Sequence, residues 1–367
     1  MPDLMPHSGV LKIAPYVGGE SVLPGVKTVI KLSSNESPLG PSPRAVVAYR
    51  AAADTLHRYP NGEAHALRRA IGACHDLDPA RIVCGCGSDD LLSLLAHAYA
   101  GAGDEIIHGQ YGFLLYPIIA HTVGAIPVAA PEPDLCTDVD AILACVTPRT
   151  RIVYLANPNN PTGTYIPAGE MARLRLALPA SVLLVIDAAY AEYVDRADYS
   201  PGIELVNESA STVMTRTFSK IYGLSALRLG WAYAPPLIID AVNRIRGPFN
   251  VSTPAQAAGV AAIEDKAYTE LSRVHNTLWR PWLTEQLRNL GLVLTESVAN
   301  FVLVRFPDEP GRDSESADAF FRRRGLIVRR VDRYGLGHSL RISIGRDTDM
   351  QAVVEGLTDF VGRRDAA

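Results

Sequence analysis

The segment Thr215-Arg216-Thr217-Phe218-Ser219-Lys220-Ile221-Tyr222-Gly223-Leu224-Ser225-Ala226-Leu227-Arg228 sets one primary amine among hydroxyls and a guanidinium. A lysine amine becomes a nucleophile only after it loses its proton, and burial or a neighbouring cation favours that loss near neutral pH. Arg228 is such a neighbour. With the hydroxyls of Thr217 and Ser219 it also suits a dianionic phosphate, because charged and hydroxyl donors bind phosphate oxygens strongly. One short loop therefore offers an amine that can trap an aldehyde and a clamp for a phosphate. A Ser-Lys pair alone is also what a polar surface loop shows, so the reading depends on what accompanies it.

Two upstream motifs accompany it. Ser181-Val182-Leu183-Leu184-Val185-Ile186-Asp187-Ala188-Ala189-Tyr190 is a continuous apolar run ending at a carboxylate. Such runs read as strands buried on both faces of a parallel sheet. Ligands of open α/β sheets bind beyond the carboxyl ends of strands, which is where Asp187 falls. An ionised Asp there can keep a pyridine-type nitrogen protonated, and Tyr190 can donate to a ring oxygen; a strand-ending Asp that merely caps a helix gives the same pattern. Ile152-Val153-Tyr154-Leu155-Ala156 then leads into Asn157-Pro158-Asn159-Asn160-Pro161-Thr162-Gly163, dense in residues that fix or permit special backbone angles. The spacing predicts a rigid loop able to aim Asn160.

Gly85-Cys86-Gly87-Ser88-Asp89-Asp90 precedes Leu91, Leu92, Leu94 and Leu95, the pattern of a helix start capped by a hydroxyl or carboxylate. Free amides at such an end attract phosphate. Arg341, amid alternating Leu340, Ile342 and Ile344, is either a solvent-facing charge or an aimed carboxylate ligand.

The order Asn-Pro-Asn-Asn-Pro-Thr-Gly, then strand-Asp-x-x-Tyr, then Ser-Lys with Arg228 beyond, resembles the fold-type I pyridoxal-phosphate aminotransferases over nearly the whole chain. Further matching stretches are Ile13-Ala14-Pro15-Tyr16, Leu32 to Gly40, Arg58-Tyr59-Pro60-Asn61-Gly62, Gly87-Ser88-Asp89 and Leu340 to Gly345. The resemblance implies pyridoxal 5'-phosphate as cofactor and Lys220, Asp187 and Tyr190 as the catalytic set. It assigns the phosphate to Gly87, Ser88, Asp89, Thr217, Ser219 and Arg228, ring stacking to Phe113, and the ring's phenolic oxygen to Asn160 and Tyr190. It implies a homodimer in which Tyr59 reaches the phosphate from the partner subunit. Arg341 would clamp the α-carboxylate of glutamate, with 2-oxoglutarate as its product. The other substrate would carry a phosphate, for which Tyr16, Asn35, Arg329 and Arg330 are candidates. Relatives often carry Pro-Thr before the stacking aromatic, whereas this chain has Tyr111-Gly112, so its pocket wall differs. An aromatic or broad-range aminotransferase and a phosphothreonine-type decarboxylase share the scaffold. A regulatory module would need a DNA-binding segment that the first 40 residues do not provide.

Those side chains need a large scaffold. The 367 residues, 48% hydrophobic and 20% charged, exceed the roughly 250–300 at which single cores stop growing. The expected class is α/β. An irregular arm over 1–40 should precede a large cofactor-binding domain over 41–255, with a mainly parallel sheet flanked by helices, and a smaller α/β domain over 256–367. Helices are expected near 43–54, 63–74 and 88–100, strands near 81–84 and 104–107, and three strands within 300–306, 326–328 and 340–344. A net charge of −4 gives no basic stripe for nucleic acid, and no apolar stretch reaches the roughly 20 residues a membrane span needs. The start lacks a basic segment followed by an apolar one, so a cytoplasmic location is expected. The five cysteines form no Cys-x-x-Cys pair and the histidines no ligand grouping, so no metal site is expected.

Overall fold

Seven short segments, mostly of aliphatic, β-branched and aromatic residues, build the larger sheet of the computed structural model, which describes residues 4–26 and 28–362. They are β1 (Ile82–Gly85), β2 (Glu105–Gly109), β3 (Ile126–Ala130), β4 (Thr150–Ala156), β5 (Leu183–Asp187), β6 (Thr212–Thr217) and β7 (Gly230–Tyr233). Their spatial order is β1-β7-β6-β5-β4-β2-β3, parallel except for β7, which runs antiparallel to both neighbours. Every residue of β5 and β6 is buried, as the continuous apolar run through Leu183–Ile186 requires.

Helices cover both faces. Adjacent strand residues point to opposite sides, so Met214 joins a core with Leu67, Ile71 and Ala258, while Val213 joins another with Leu91, Leu95 and Ile119. The helix Thr253–Glu264 buries Ala255, Ala258 and Ala262 in the first of these cores, against the helices Pro43–Ala51 and His65–His75. It is thus packed with the large sheet although it lies near the expected boundary.

A second sheet follows, in the order β10-β11-β9-β8 and antiparallel throughout, from β8 (Val293–Leu294), β9 (Phe301–Arg305), β10 (Arg329–Arg330) and β11 (Ser339–Ser343). The helices Lys266–Asn289, Ser314–Arg323 and Asp347–Gly362 pack on it through a separate core with Leu283, Phe321 and Val353. The expected strand at 326–328 divides. Leu326–Ile327 pairs in parallel with Ile30–Lys31, and only Arg329–Arg330 joins the second sheet. The arm is therefore not wholly irregular: this pairing and the burial of Leu32 in the second core fasten its end.

Candidate active site

The parallel neighbours β4, β5 and β6 end at one edge, and the register Ala156↔Asp187↔Thr215 aligns those ends. The chain leaves them as the Asn157–Gly163 loop, the Asp187–Tyr190 turn and the Ser219–Lys220 loop. Three motifs far apart in sequence thereby face one cavity of about 220 Å³.

Lys220 Nζ lies 3.3 Å from the Ser34 carbonyl oxygen and 5.6 Å from the centre of the Tyr190 ring. Desolvation, aided by the Arg341 cation, lowers its pKa from 10.5 to about 8. Asp187 is buried, and desolvation lifts its pKa from 3.8 to about 6 although Tyr116 donates to Oδ2 at 2.9 Å and Thr215 to Oδ1 at 3.4 Å. A half-compensated buried carboxylate is poised to receive a cationic N–H. Tyr190 Oη accepts from Asn35 Nδ2 at 2.8 Å, and burial pushes its pKa up to about 12, so it stays a protonated donor.

The phosphate cradle forms where the helix Ser88–Tyr99 begins. Its cap is Gly87 at φ 89°, with no side chain bonded to the first-turn amides, rather than the hydroxyl or carboxylate expected from sequence. Those amides remain open to an anion. Arg228 stands beside them, donating to Asp89 at 3.2 Å and to Ser219 Oγ at 3.4 Å. A Cβ on Gly87 would sit 2.6 Å from Arg228 Nη2, so only glycine leaves that approach open. Thr217 Oγ1 accepts from the Ser219 N–H at 3.1 Å and lines the cavity.

On the opposite wall, Arg341 donates to Asn160 Oδ1 and to the Ser33 carbonyl, and its buried Nε has no partner among the described residues. Holding Oδ1 turns the Asn160 amide nitrogen to the remaining side. The loop is rigid through side-chain bonds: Asn157 exchanges hydrogen bonds with Ile166, and Asn159 Nδ2 donates to Thr162 Oγ1. Phe113, Tyr16 and Arg329 line the cavity too, with Phe113 edge-on to both Tyr16 and Tyr116.

The structure separates some residues that sequence grouped. Arg330 is not at the cavity: successive strand residues point to opposite faces, and it pairs instead with Asp332 and Glu315. Asn35, by contrast, does line the cavity, its side chain bonded to Tyr190 and Ser343 Oγ. Tyr59 lies outside the cavity, 82% exposed and stacked on Phe249. Tyr116 was missed. Its three-residue spacing from Phe113 was the available signal, but aromatics so spaced more often only fill cores.

A cofactor carrying an aldehyde, a ring nitrogen and a phosphate meets a suitable group at each point: the amine, the under-compensated carboxylate and the open helix start. Comparison with known proteins agrees. The model of the family "Aminotransferase class I and II" matches residues 27–357. A histidinol-phosphate aminotransferase of Paramagnetospirillum magneticum is 57% identical over 97% of this chain and 98% of its own. One of Rhodopseudomonas palustris is 55% identical over 98% and 99%. The crystal structure of the Sinorhizobium meliloti histidinol-phosphate aminotransferase in complex with pyridoxal-5'-phosphate superposes with a TM-score of 0.88, at 29% identity, over 100% of both chains. A Thermus thermophilus aspartate aminotransferase, 22% identical with a TM-score of 0.80 over 90% of this chain and 91% of its own, shares the fold. By its motifs, its architecture and these likenesses, the chain belongs to the class I and II aminotransferases.

Proposed function

We propose that the protein transfers an amino group between glutamate and imidazole acetol phosphate, giving 2-oxoglutarate and histidinol phosphate in histidine biosynthesis, with pyridoxal 5'-phosphate as cofactor. The observation that carries this reading is the convergence of Lys220, Asp187, Tyr190 and the Gly87–Arg228 cradle on one cavity whose far wall is cationic. The names of relatives more than half identical to this chain supply the acceptor.

When bound, pyridoxal 5'-phosphate supplies an aldehyde for amine exchange and a ring that withdraws electrons. Ser219, Arg228 and the first-turn amides of Ser88 and Asp89 would hold its phosphate. Asp187, whose carboxylate Tyr116 orients, would keep a proton on its ring nitrogen. Tyr190 Oη and Asn160 Nδ2 would donate to its phenolic oxygen, and Phe113 would stack on the ring. Lys220 Nζ, neutral in part near pH 8, would take a proton from the substrate α-carbon and deliver it to the carbon that carried the cofactor's aldehyde. Arg341, whose Nε is unsatisfied, holds the α-carboxylate of glutamate. Arg329, whose side chain bonds only the Val17 carbonyl among the described residues, and Tyr16 would meet the phosphate of the other substrate.

The active unit is a homodimer in this reading, since Tyr59 and Phe249 form an exposed aromatic pair for a second copy to cover. The arm (1–40), the cofactor-binding unit (41–255) and the C-terminal unit (256–367) are its parts, with the Thr253–Glu264 helix packed on the large sheet. The location is cytoplasmic; among the described residues no helix is long and apolar enough to cross a membrane.

The deciding measurement compares histidinol phosphate, tyrosine and phenylalanine as amino donors to 2-oxoglutarate. The phosphorylated donor should win by at least about a hundredfold in kcat/KM, the scale set when a charged group loses its partner. Equal rates with tyrosine would reject the assignment in favour of a broad-range enzyme.

A further inference from the structure

Beyond β3 the chain turns through Pro131-Glu132-Pro133-Asp134-Leu135 before the helix Val139–Ala144. Glu132 is 4% exposed and does not line the cavity. No lysine or arginine pairs with it among the described residues. An ionised carboxylate buried without a counter-ion is expensive unless hydrogen bonds satisfy it. Two do: the Tyr111 backbone N–H donates to Oε2 at 2.7 Å, and Thr137 Oγ1 donates to Oε1 at 2.8 Å. The approach to the end of β2 is tight, since a Cβ on Gly109 would lie 2.4 Å from Glu132 Oε1. Glu132 therefore grips the stretch from Gly109 to Tyr111 that leads directly into Phe113.

The same turn reaches the other side of the site. Asp134 (φ 54°) and Leu135 (φ 61°) are consecutive left-handed residues, neither of them glycine. Such backbone persists where its surroundings over-determine it. The Leu135 carbonyl accepts from Thr164 Oγ1 at 2.9 Å, and Thr164 Oγ1 is 2.8 Å from Thr162 Oγ1 in the loop bearing Asn160. One turn thus links the Phe113 and Asn160 segments.

We infer that Glu132 is a positioning residue, whose carboxylate fixes the Tyr111–Phe113 segment so that the Phe113 ring forms the wall over the bound ring. The part played by that wall rests on the proposed function; the grip on the segment does not.

Two measurements separate these. In the cofactor-free protein, hydrogen exchange read by mass spectrometry over residues 109–116 should quicken about tenfold in Glu132→Ala, as a backbone donor loses its buried acceptor. Glu132→Gln, whose amide oxygen can still accept from Tyr111, should stay within about threefold of the parent. Where Glu132→Ala does not fold, Glu132→Asp, one methylene too short to reach both donors, carries the same expectation. By equilibrium dialysis, Glu132→Ala and Phe113→Leu should each weaken pyridoxal phosphate binding about tenfold, and the double variant little further, because both act through one ring. Unchanged exchange over 109–116, a Glu132→Gln as impaired as Glu132→Ala, or additive binding losses would each overturn the inference. Quickened exchange in Glu132→Ala, found together with a parent chain that binds no pyridoxal phosphate, would uphold the grip and reject the proposed function instead.

Discussion

Two ionisable groups at the cavity have opposite electrostatic problems. Lys220 is pushed toward its neutral form and Asp187 toward its protonated form, both chiefly by desolvation. The Asp187 shift has a definite sign in stability. Between pH 3.8 and about 6 the folded chain keeps a proton that the unfolded chain has released, so stability falls as pH rises through that window. Above it the burial penalty is present in full. Denaturation of cofactor-free Asp187→Asn should therefore gain on the parent from about pH 4 to about 6 and hold a constant lead above that. A difference that does not vary with pH would mean the carboxylate titrates as if exposed. For Lys220, acylation of the cofactor-free protein should rise with pH about a midpoint near 8 and level above it, against a midpoint of 10.5 for an unperturbed lysine. Arg341→Ala should move that midpoint upward, since it removes the neighbouring cation. A midpoint near the ordinary lysine value would show the amine to be solvated. Sequence exposed the identities of both residues; their coupling to Tyr116 and Arg341 needed distances between segments remote in the chain.

At the level of elements, β7 is the strand that brings the phosphate cradle together. It lies between β1 and β6, with Gly230 opposite both Gly85 and Thr217. A Cβ on Gly230 would fall 2.3 Å from the Ser88 backbone nitrogen, and backbone cannot swing aside as a side chain can. Gly230→Ala should push the start of the Ser88–Tyr99 helix outward, weakening pyridoxal phosphate binding about tenfold and costing about 1–3 kcal/mol of stability. Dialysis and thermal unfolding would show it; binding unchanged in a destabilised variant would mean that the helix start does not hold the phosphate. The strands ending at Ala156 and Asp187 were readable because unbroken apolar runs stop there, at a turn-rich loop and at a carboxylate. The division of 326–330 between two sheets was not, because Leu326, Ile327 and Val328 form one apolar run whichever partner they take. Only the approach of Ile30–Lys31 decided it.

For the whole molecule, the telling residue is Tyr59, outside its own cavity and exposed together with Phe249. If each site borrows Tyr59 from a second copy, two defective chains can repair one another. Lys220→Ala and Tyr59→Ala, each impaired alone, should regain activity when unfolded together and refolded as a mixture, because a mixed dimer holds one site with both residues. The recovered rate should approach about a quarter of the parent's, as half of random pairs are mixed and each carries one intact site. Recovery no greater than the sum of the separate variants would place Tyr59 outside any shared site.

The chain alone determined that an amine, a carboxylate, an amide and a guanidinium stand at strand ends and helix starts, since apolar runs and turn residues impose those elements locally. Only the tertiary structure decided which of them meet. It set Arg329 at the cavity and Arg330 away from it, gave Asn35 to Tyr190, and brought Tyr116 under Asp187. The reason is physical: a strand's alternation fixes that two neighbours diverge, but which of the two faces a ligand depends on sheet packing between residues hundreds of positions apart.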